Sequence, residues 1–196
     1  MLETRVDAPL TPSSTLGPHR AADYARLPDE PRVELVYGRL YRMASPLLSH
    51  QLVLGELFGQ LRRMAADKGA IVVMAPMDVT LADHSVVQPD LLLVTPARKA
   101  ILRARVEGAP DLLVEIHSPT TARRDRGEKL RLYGESGVRE YWMVDPDARS
   151  VDFLVRRGDR WLVALAEDGR YTSEAIDGLS LDLGALWAVL DGLRDG

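Results

Sequence analysis

The chain has 196 residues, 46% hydrophobic and 28% charged, with a formal net charge of −4 and no cysteine. This ordinary globular mixture excludes disordered and fibrous classes, and the lack of cysteine excludes disulfide scaffolds, thiolate zinc sites, iron–sulfur clusters and cysteine nucleophiles. The acidic balance also excludes a protein that holds nucleic acid through a large global basic excess, so any basic groups serving that end must be segregated from acidic groups gathered elsewhere, as around a divalent metal.

Residues 1–17 show little apolar periodicity and are expected to form a flexible N-terminal arm, with 18–196 as a single domain. The first residues lack a basic stretch followed by an apolar run, and no run approaches the roughly 20 apolar residues that span a bilayer. A cytoplasmic protein without membrane contact is the expectation. His19–Leu27 predicts a short helix stopped by Pro28. Val33–Ala44 predicts a hairpin through Tyr37-Gly38, where glycine supplies the turn's positive φ. After Ser45-Pro46 the longest helix runs over Leu47–Lys68 to Gly69, with Leu54, Leu57, Phe58, Leu61 and Met64 as its apolar stripe. His50 lies one turn before Leu54 on that stripe and is expected to point inward.

Beyond Gly69 the pattern predicts strands at Ile71–Ala75, Met77–Leu81 and Asp90–Thr95, then a short helix near Pro96–Arg105. Asp111–His117 reads as a strand covered on both faces. A turn over Ser118–Arg123 and a helix over Asp125–Glu135, ended by Gly137, lead to a buried strand at Glu140–Val144. Val151–Arg156 and Trp161–Ala166 pair through Gly158, and Leu183–Leu190 closes as a helix. This order predicts an α/β architecture with a mixed sheet.

Three acidic residues sit at strand edges rather than on solvated faces. Asp90 opens the run Leu91–Val94, Glu115 interrupts the buried run Leu112–Ile116, and Glu34 enters the hairpin. A carboxylate in a buried strand is costly unless something positive compensates it. If the strands of Asp90 and Glu115 are neighbours, their repulsion calls for a cation, and a hard ion such as Mg²⁺ suits oxygen ligands. Pairing of each with an arginine or a backbone amide is the competing account. In the following helix Asp125, Lys129, Leu132 and Tyr133 share a face, so Lys129 leans toward the sheet, where an ammonium can orient a metal-bound water. An ordinary i,i+4 pair between Asp125 and Lys129 is the alternative. The four histidines lack the spacing of a zinc pair, and neither a phosphate-binding GxxxxGK[ST] loop nor a GxSxG elbow occurs.

The strings Val87-Gln88-Pro89-Asp90-Leu91, Gly108–Ile116, Ser118-Pro119-Thr120-Thr121, Arg124–Tyr133, Gly137–Trp142 and Val144-Asp145-Pro146 together resemble the Uma2 family, also called DUF820. The hairpin Glu34–Leu40 and His50-Gln51 resemble it too, so the likeness covers roughly residues 20–190. The resemblance implies a restriction-endonuclease-like mixed β-sheet flanked by helices, with an N-terminal β-hairpin and additional C-terminal strands, in the PD-(D/E)xK nuclease superfamily. It implies that Asp90 is the Asp of the PD element and Glu115 the second acid. His117 stands where the ordinary pattern has its lysine and is not expected to act as a base; Lys129 is nominated in its place. Glu34 and His50 match further recurrent polar positions, with Asp125 as a supporting residue.

The expected activity is metal-dependent endonucleolytic hydrolysis of DNA. Asp90, Glu115 and the carbonyl of Ile116 would hold Mg²⁺, or Mn²⁺ in its place, and Lys129 would position the water. Arg123, Arg124 and Arg126 are candidates for phosphate contact; the cluster Arg98, Lys99, Arg103 and Arg105 reads rather as a solvated helix face. Alanine at Glu115 or Lys129 is expected to abolish cleavage with the fold intact. Cutting two strands with one site per chain is compatible with a homodimer. The competing function is a catalytically silent binding or regulatory module on the same fold.

Overall fold

The computed structural model describes residues 16–117 and 125–193. The expected turn at 118–123, Arg123 and Arg124, and all but the end of the expected arm lie outside the described residues. A short helix α1 (Ala21–Tyr24) precedes the hairpin of β1 (Val33–Val36) and β2 (Arg39–Arg42). Its turn residues Tyr37 and Gly38 have φ of 49° and 76°, the two left-handed positions of the hairpin turn that matches strand twist. Gly17 is pinned there already, donating to the Tyr37 carbonyl at 2.8 Å. A Cβ on Gly38 would lie 2.3 Å from the Gly17 carbonyl oxygen, so glycine is required for space as well as for φ.

The long helix α2 (Leu48–Ala66) buries Val53, Leu54, Leu57 and Leu61, close to the expected stripe. Then follow β3 (Ile71–Met74), β4 (Val79–Ala82), β5 (Ser85–Val87), β6 (Leu91–Val94), a 3₁₀ turn (Pro96–Ile101), β7 (Val106–Glu107) and β8 (Leu112–Ile116). The helix expected at 125–135 opens as a π-helical turn, Asp125–Lys129, and continues as α3 (Leu130–Ser136) to Gly137 at φ 89°. The chain ends with β9 (Glu140–Asp145), β10 (Ser150–Arg157), β11 (Arg160–Ala164), β12 (Arg170–Thr172), β13 (Ser180–Asp182) and α4 (Leu183–Ala188). Strands β5, β7, β12 and β13 were not expected, being only two or three residues long and defined by the strands they meet rather than by their own pattern.

Among the described residues the central sheet has the order β11-β10-β9-β8-β6-β3, mixed because β8 and β9 run parallel. Its strands alternate between two apolar layers. Leu91, Leu93, Leu112, Val114, Trp142 and Val144 face α2, α4 and the β12–β13 pair. Leu92, Val94, Leu113, Tyr141 and Met143 face α3 and the second sheet, of order β2-β1-β5-β4-β7. This is the expected mixed sheet between helices, with the hairpin extended into a covering layer.

The first layer is tied at Glu140, which is fully buried. Its carboxylate accepts hydrogen bonds from Trp142 Nε1 at 2.9 Å and from the hydroxyls of Tyr171 and Ser173. These bonds join the C-terminal β12–β13 unit to the central sheet. Glu140→Ala would leave three buried donors without an acceptor, at roughly 1–3 kcal/mol each. The expected result is a loss of at least about 3 kcal/mol, read by urea unfolding; a variant as stable as the parent would refute the clamp.

Candidate active site

Strand parity brings the acidic residues together. Leu91 on β6 pairs with Val114 on β8, so one step further the register sets Asp90 opposite Glu115. Asp90 alternates with Leu92 and Glu115 with Leu113, so both carboxylates belong to the layer shared with α3 and the hairpin. Asp90 Oδ2 accepts the Ile116 amide at 2.7 Å, taking the place of a ladder bond at the end of the strand pair. Its Oδ1 lies 3.1 Å from Nε2 of His50, presented by the first turn of α2. Because a carboxylate only accepts, His50 carries its proton on Nε2.

Glu115 Oε1 accepts from Lys129 Nζ at 2.8 Å and from the Tyr133 hydroxyl at 2.5 Å. The same ammonium reaches Glu34 Oε1 at 2.9 Å and lies 3.6 Å from Asp125 Oδ1. Glu34 is held in turn by the Gln88 amide at 2.8 Å. Asp125 Oδ2 is 3.1 Å from His117 Nδ1, while His117 Nε2 is buried without a hydrogen-bond partner among the described residues. Lys129 is 3% exposed, so its amine belongs to this cluster and not to solvent. The π turn gives Asp125 and Lys129 this inward aim while Leu132 and Tyr133, a turn later, pack in the core.

The electrostatics follow from three carboxylates (Glu34, Glu115, Asp125) gathered around one lysine, with a fourth, Asp90, beside Glu115 and paired with His50. Burial pushes the Glu115 carboxyl well above the usual carboxylate range; Lys129 pulls the other way, and Asp125, Glu34 and Asp90 add to the rise. Burial alone would lower Lys129, but Glu115, Glu34 and Asp125 outweigh it and hold the ammonium above the ordinary lysine range. Burial, then the Glu115 charge, keeps the Tyr133 phenol protonated as a donor. The site therefore has an excess of negative charge that one further cation would relieve. Glu34, His50, Asp90, Glu115, Asp125 and Lys129 all line one cavity of about 190 Å³.

The Uma2 family model, described as "Putative restriction endonuclease", matches residues 21–184. The chain belongs to the Uma2 family. Its fold is similar to that of a DUF820 protein from Anabaena variabilis ATCC 29413, solved as "a putative nuclease", with a TM-score of 0.72 and 20% identity over 88% of this chain and 99% of that one. None of the curated proteins matches the chain. The Uma2 description is that of a nuclease family, which acts on nucleic acid. No helix among the described residues is long and apolar enough to cross a membrane.

Within this Uma2 chain, all six acidic, basic and histidine positions singled out around Asp90 and Glu115 meet at the cavity. No group of three or more His, Asp and Glu among the described residues forms a ready metal cage, since the carboxylates are held by Lys129, Tyr133, His50 and backbone amides. The donors nevertheless suit a hard cation in kind. Glu115 Oε2 makes none of these bonds, and Ile116, whose amide points at Asp90, directs its carbonyl to the same side of the strand. Arg126 is outside the cavity lining and pairs with Asp152 at 3.1 Å. Arg98 serves the fold, donating to the carbonyls of Ala109, Pro110 and Gly137. Sequence reasoning missed Tyr133, placed in the core by its spacing although its hydroxyl serves Glu115, and the rim residues Arg32 and Arg42.

Proposed function

We propose that this Uma2 protein is a divalent-metal-dependent endonuclease that hydrolyses phosphodiester bonds of DNA. The observation that carries the reading is the buried Lys129 ammonium bonded to Glu115 beside Asp90, in a cluster with more carboxylates than cations. Asp90, Glu115 and the Ile116 carbonyl are the residues proposed to hold Mg²⁺ or Mn²⁺. A bound metal of that kind supplies charge shielding for the scissile phosphate and acidifies a water molecule.

The protein's own groups do the rest. His50 orients Asp90, and Tyr133 orients Glu115, as outer partners commonly orient ligating side chains. Lys129 keeps its proton at neutral pH, so it acts as a fixed cation that aligns the attacking water and balances the negative charge growing on the phosphate. Asp125 and Glu34 hold that ammonium in place.

The test is cleavage of supercoiled plasmid and labelled oligonucleotides in Mg²⁺ or Mn²⁺, with EDTA as control. Asp90→Asn should lower the rate on the order of 100-fold or more, because loss even of an outer partner costs roughly 10–100-fold. Cleavage that survives EDTA or the Asp90→Asn change would discard the reading in favour of other chemistry. A silent module would show no cleavage in any variant and no metal response depending on Asp90.

A further inference from the structure

The mouth of the cavity holds two features that the hydrolytic chemistry does not use. Arg32 and Arg42 lie at the base of the hairpin, joined by the ladder that continues from Val33↔Arg42 to the bond between the Met43 amide and the Arg32 carbonyl. Both line the cavity. Nearby arginines are neutralised: Arg39 by Glu128, Arg126 by Asp152 and Arg131 by Glu135. Arg32 and Arg42 have no acidic partner among the described residues. In a chain of net charge −4, two uncompensated guanidinium groups at the entrance to an acidic cavity constitute a local reversal of sign.

Next to them, at the start of α2, Leu47 and Leu48 are 62% and 64% exposed, the largest such exposures among the described residues after Leu165. They follow the exposed run Ala44-Ser45-Pro46, and Leu47 itself lines the cavity. Two adjacent leucines held in water by a helix start, beside unpaired arginines, match a ligand with anionic and flat apolar parts in alternation.

The cavity restricts which ligand that is. Glu115 and Lys129 lie inside it almost wholly buried, so a phosphate has to enter to reach them. A paired duplex holds its phosphates on a stiff, stacked frame, so delivering one to side chains this deeply buried requires local unstacking. A single strand can unstack locally and feed one phosphate inward while its neighbouring base leaves the stack.

We propose that the mouth is a docking site for single-stranded or frayed DNA, Arg32 and Arg42 gripping its phosphates and Leu47 and Leu48 receiving an unstacked base. This rests on the nuclease reading and names its substrate form. Apolar side chains inserted between bases and cationic grooves along the backbone are recurrent means of holding unstacked strands.

The experiment measures binding in EDTA, separately from cleavage. A short fluorescein-labelled oligonucleotide is titrated with protein as a single strand and as the blunt duplex, and a 2-aminopurine version reports unstacking. The expected result is tighter binding of the single strand, with a rise in 2-aminopurine fluorescence. Leu47→Ala/Leu48→Ala should remove that rise and weaken single-strand binding roughly tenfold while leaving duplex binding unchanged. Arg32→Ala/Arg42→Ala should flatten the dependence of log K on log salt by about 1.4, since each single-strand phosphate contact contributes about 0.7. Equal or tighter duplex binding, no measurable binding of single strands, or indifference to the leucine change would overturn the inference. If the nuclease reading alone is wrong, cleavage in Mg²⁺ is missing while these binding differences persist.

Discussion

Glu115→Gln and Lys129→Met are each expected to lower metal-dependent cleavage by about 100- to 1,000-fold, the range for removing one preorganised electrostatic group, yet to move stability in opposite directions. Glu115 is a buried carboxyl whose charged form is disfavoured by desolvation, so an uncharged isostere removes a penalty. Its Tyr133 partner keeps a carbonyl to donate to. Lys129 is the one ammonium among Glu34, Glu115 and Asp125. Methionine fills similar space but leaves those carboxylates facing one another away from water. Removing one member of a buried ionic cluster costs about 3–5 kcal/mol. For a domain of this size that is a fall in melting temperature of roughly 10 °C. The expectation from sequence that both alanine variants keep the fold intact is thus revised for the lysine. Melting curves of the two metal-free variants, beside their cleavage rates, test the contrast. A lysine variant as stable as the parent would mean that the ammonium does not compensate the carboxylates.

A second large effect lies in the joint dependence of stability on pH and divalent metal. Glu115 is raised above its unfolded value, so its contribution to stability is complete below the ordinary carboxylate range and is lost as pH rises toward the folded value. Lys129 is raised too, so its contribution persists through neutral pH and fades only above the ordinary lysine range. Between weakly acidic and neutral pH the Glu115 slope therefore acts without an opposing loss from Lys129, and metal-free protein should become less stable as pH increases. A divalent cation that ligates the charged carboxylate reverses this, because binding displaces the proton and favours the folded state. At about 100 times its dissociation constant such a cation adds about 2.7 kcal/mol, or roughly 5–10 °C in melting temperature. The Mg²⁺-induced rise should grow from about pH 5 to pH 8 in the parent and be largely absent in Glu115→Gln. A rise independent of pH, or one retained in the glutamine variant, would remove Glu115 from the metal site.

Both expectations turn on how the acidic residues come to share one space, and that was legible only in part from the chain. The positive-φ turn at Tyr37-Gly38, the stripe of α2 and the end of α3 at Gly137 are written locally, because a hydrophobic period of 3.6 or a glycine at a turn constrains a few consecutive residues whatever surrounds them. The cost of a carboxylate inside an apolar strand is local in the same sense, which is why Asp90 and Glu115 stand out before any fold is known.

Whether those two side chains face each other is not local. It depends on the antiparallel register of β6 against β8, where a slip of one residue would send one of them into the opposite layer. The three carboxylates around Lys129 come from β1, β8 and a π turn, and no spacing along the chain encodes that meeting. Strands β5 and β7 are too short to announce themselves and exist because β1 and β4 offer them hydrogen bonds, while the equally short β12 and β13 pair with each other. Arg32 and Arg42 read as two more surface cations until the folded chain sets them in the lining of the acidic cavity with no ion-pair partner among the described residues. Periodicity and side-chain cost are properties of short stretches; charge balance and register are sums over segments distant in sequence, and only packing brings those together.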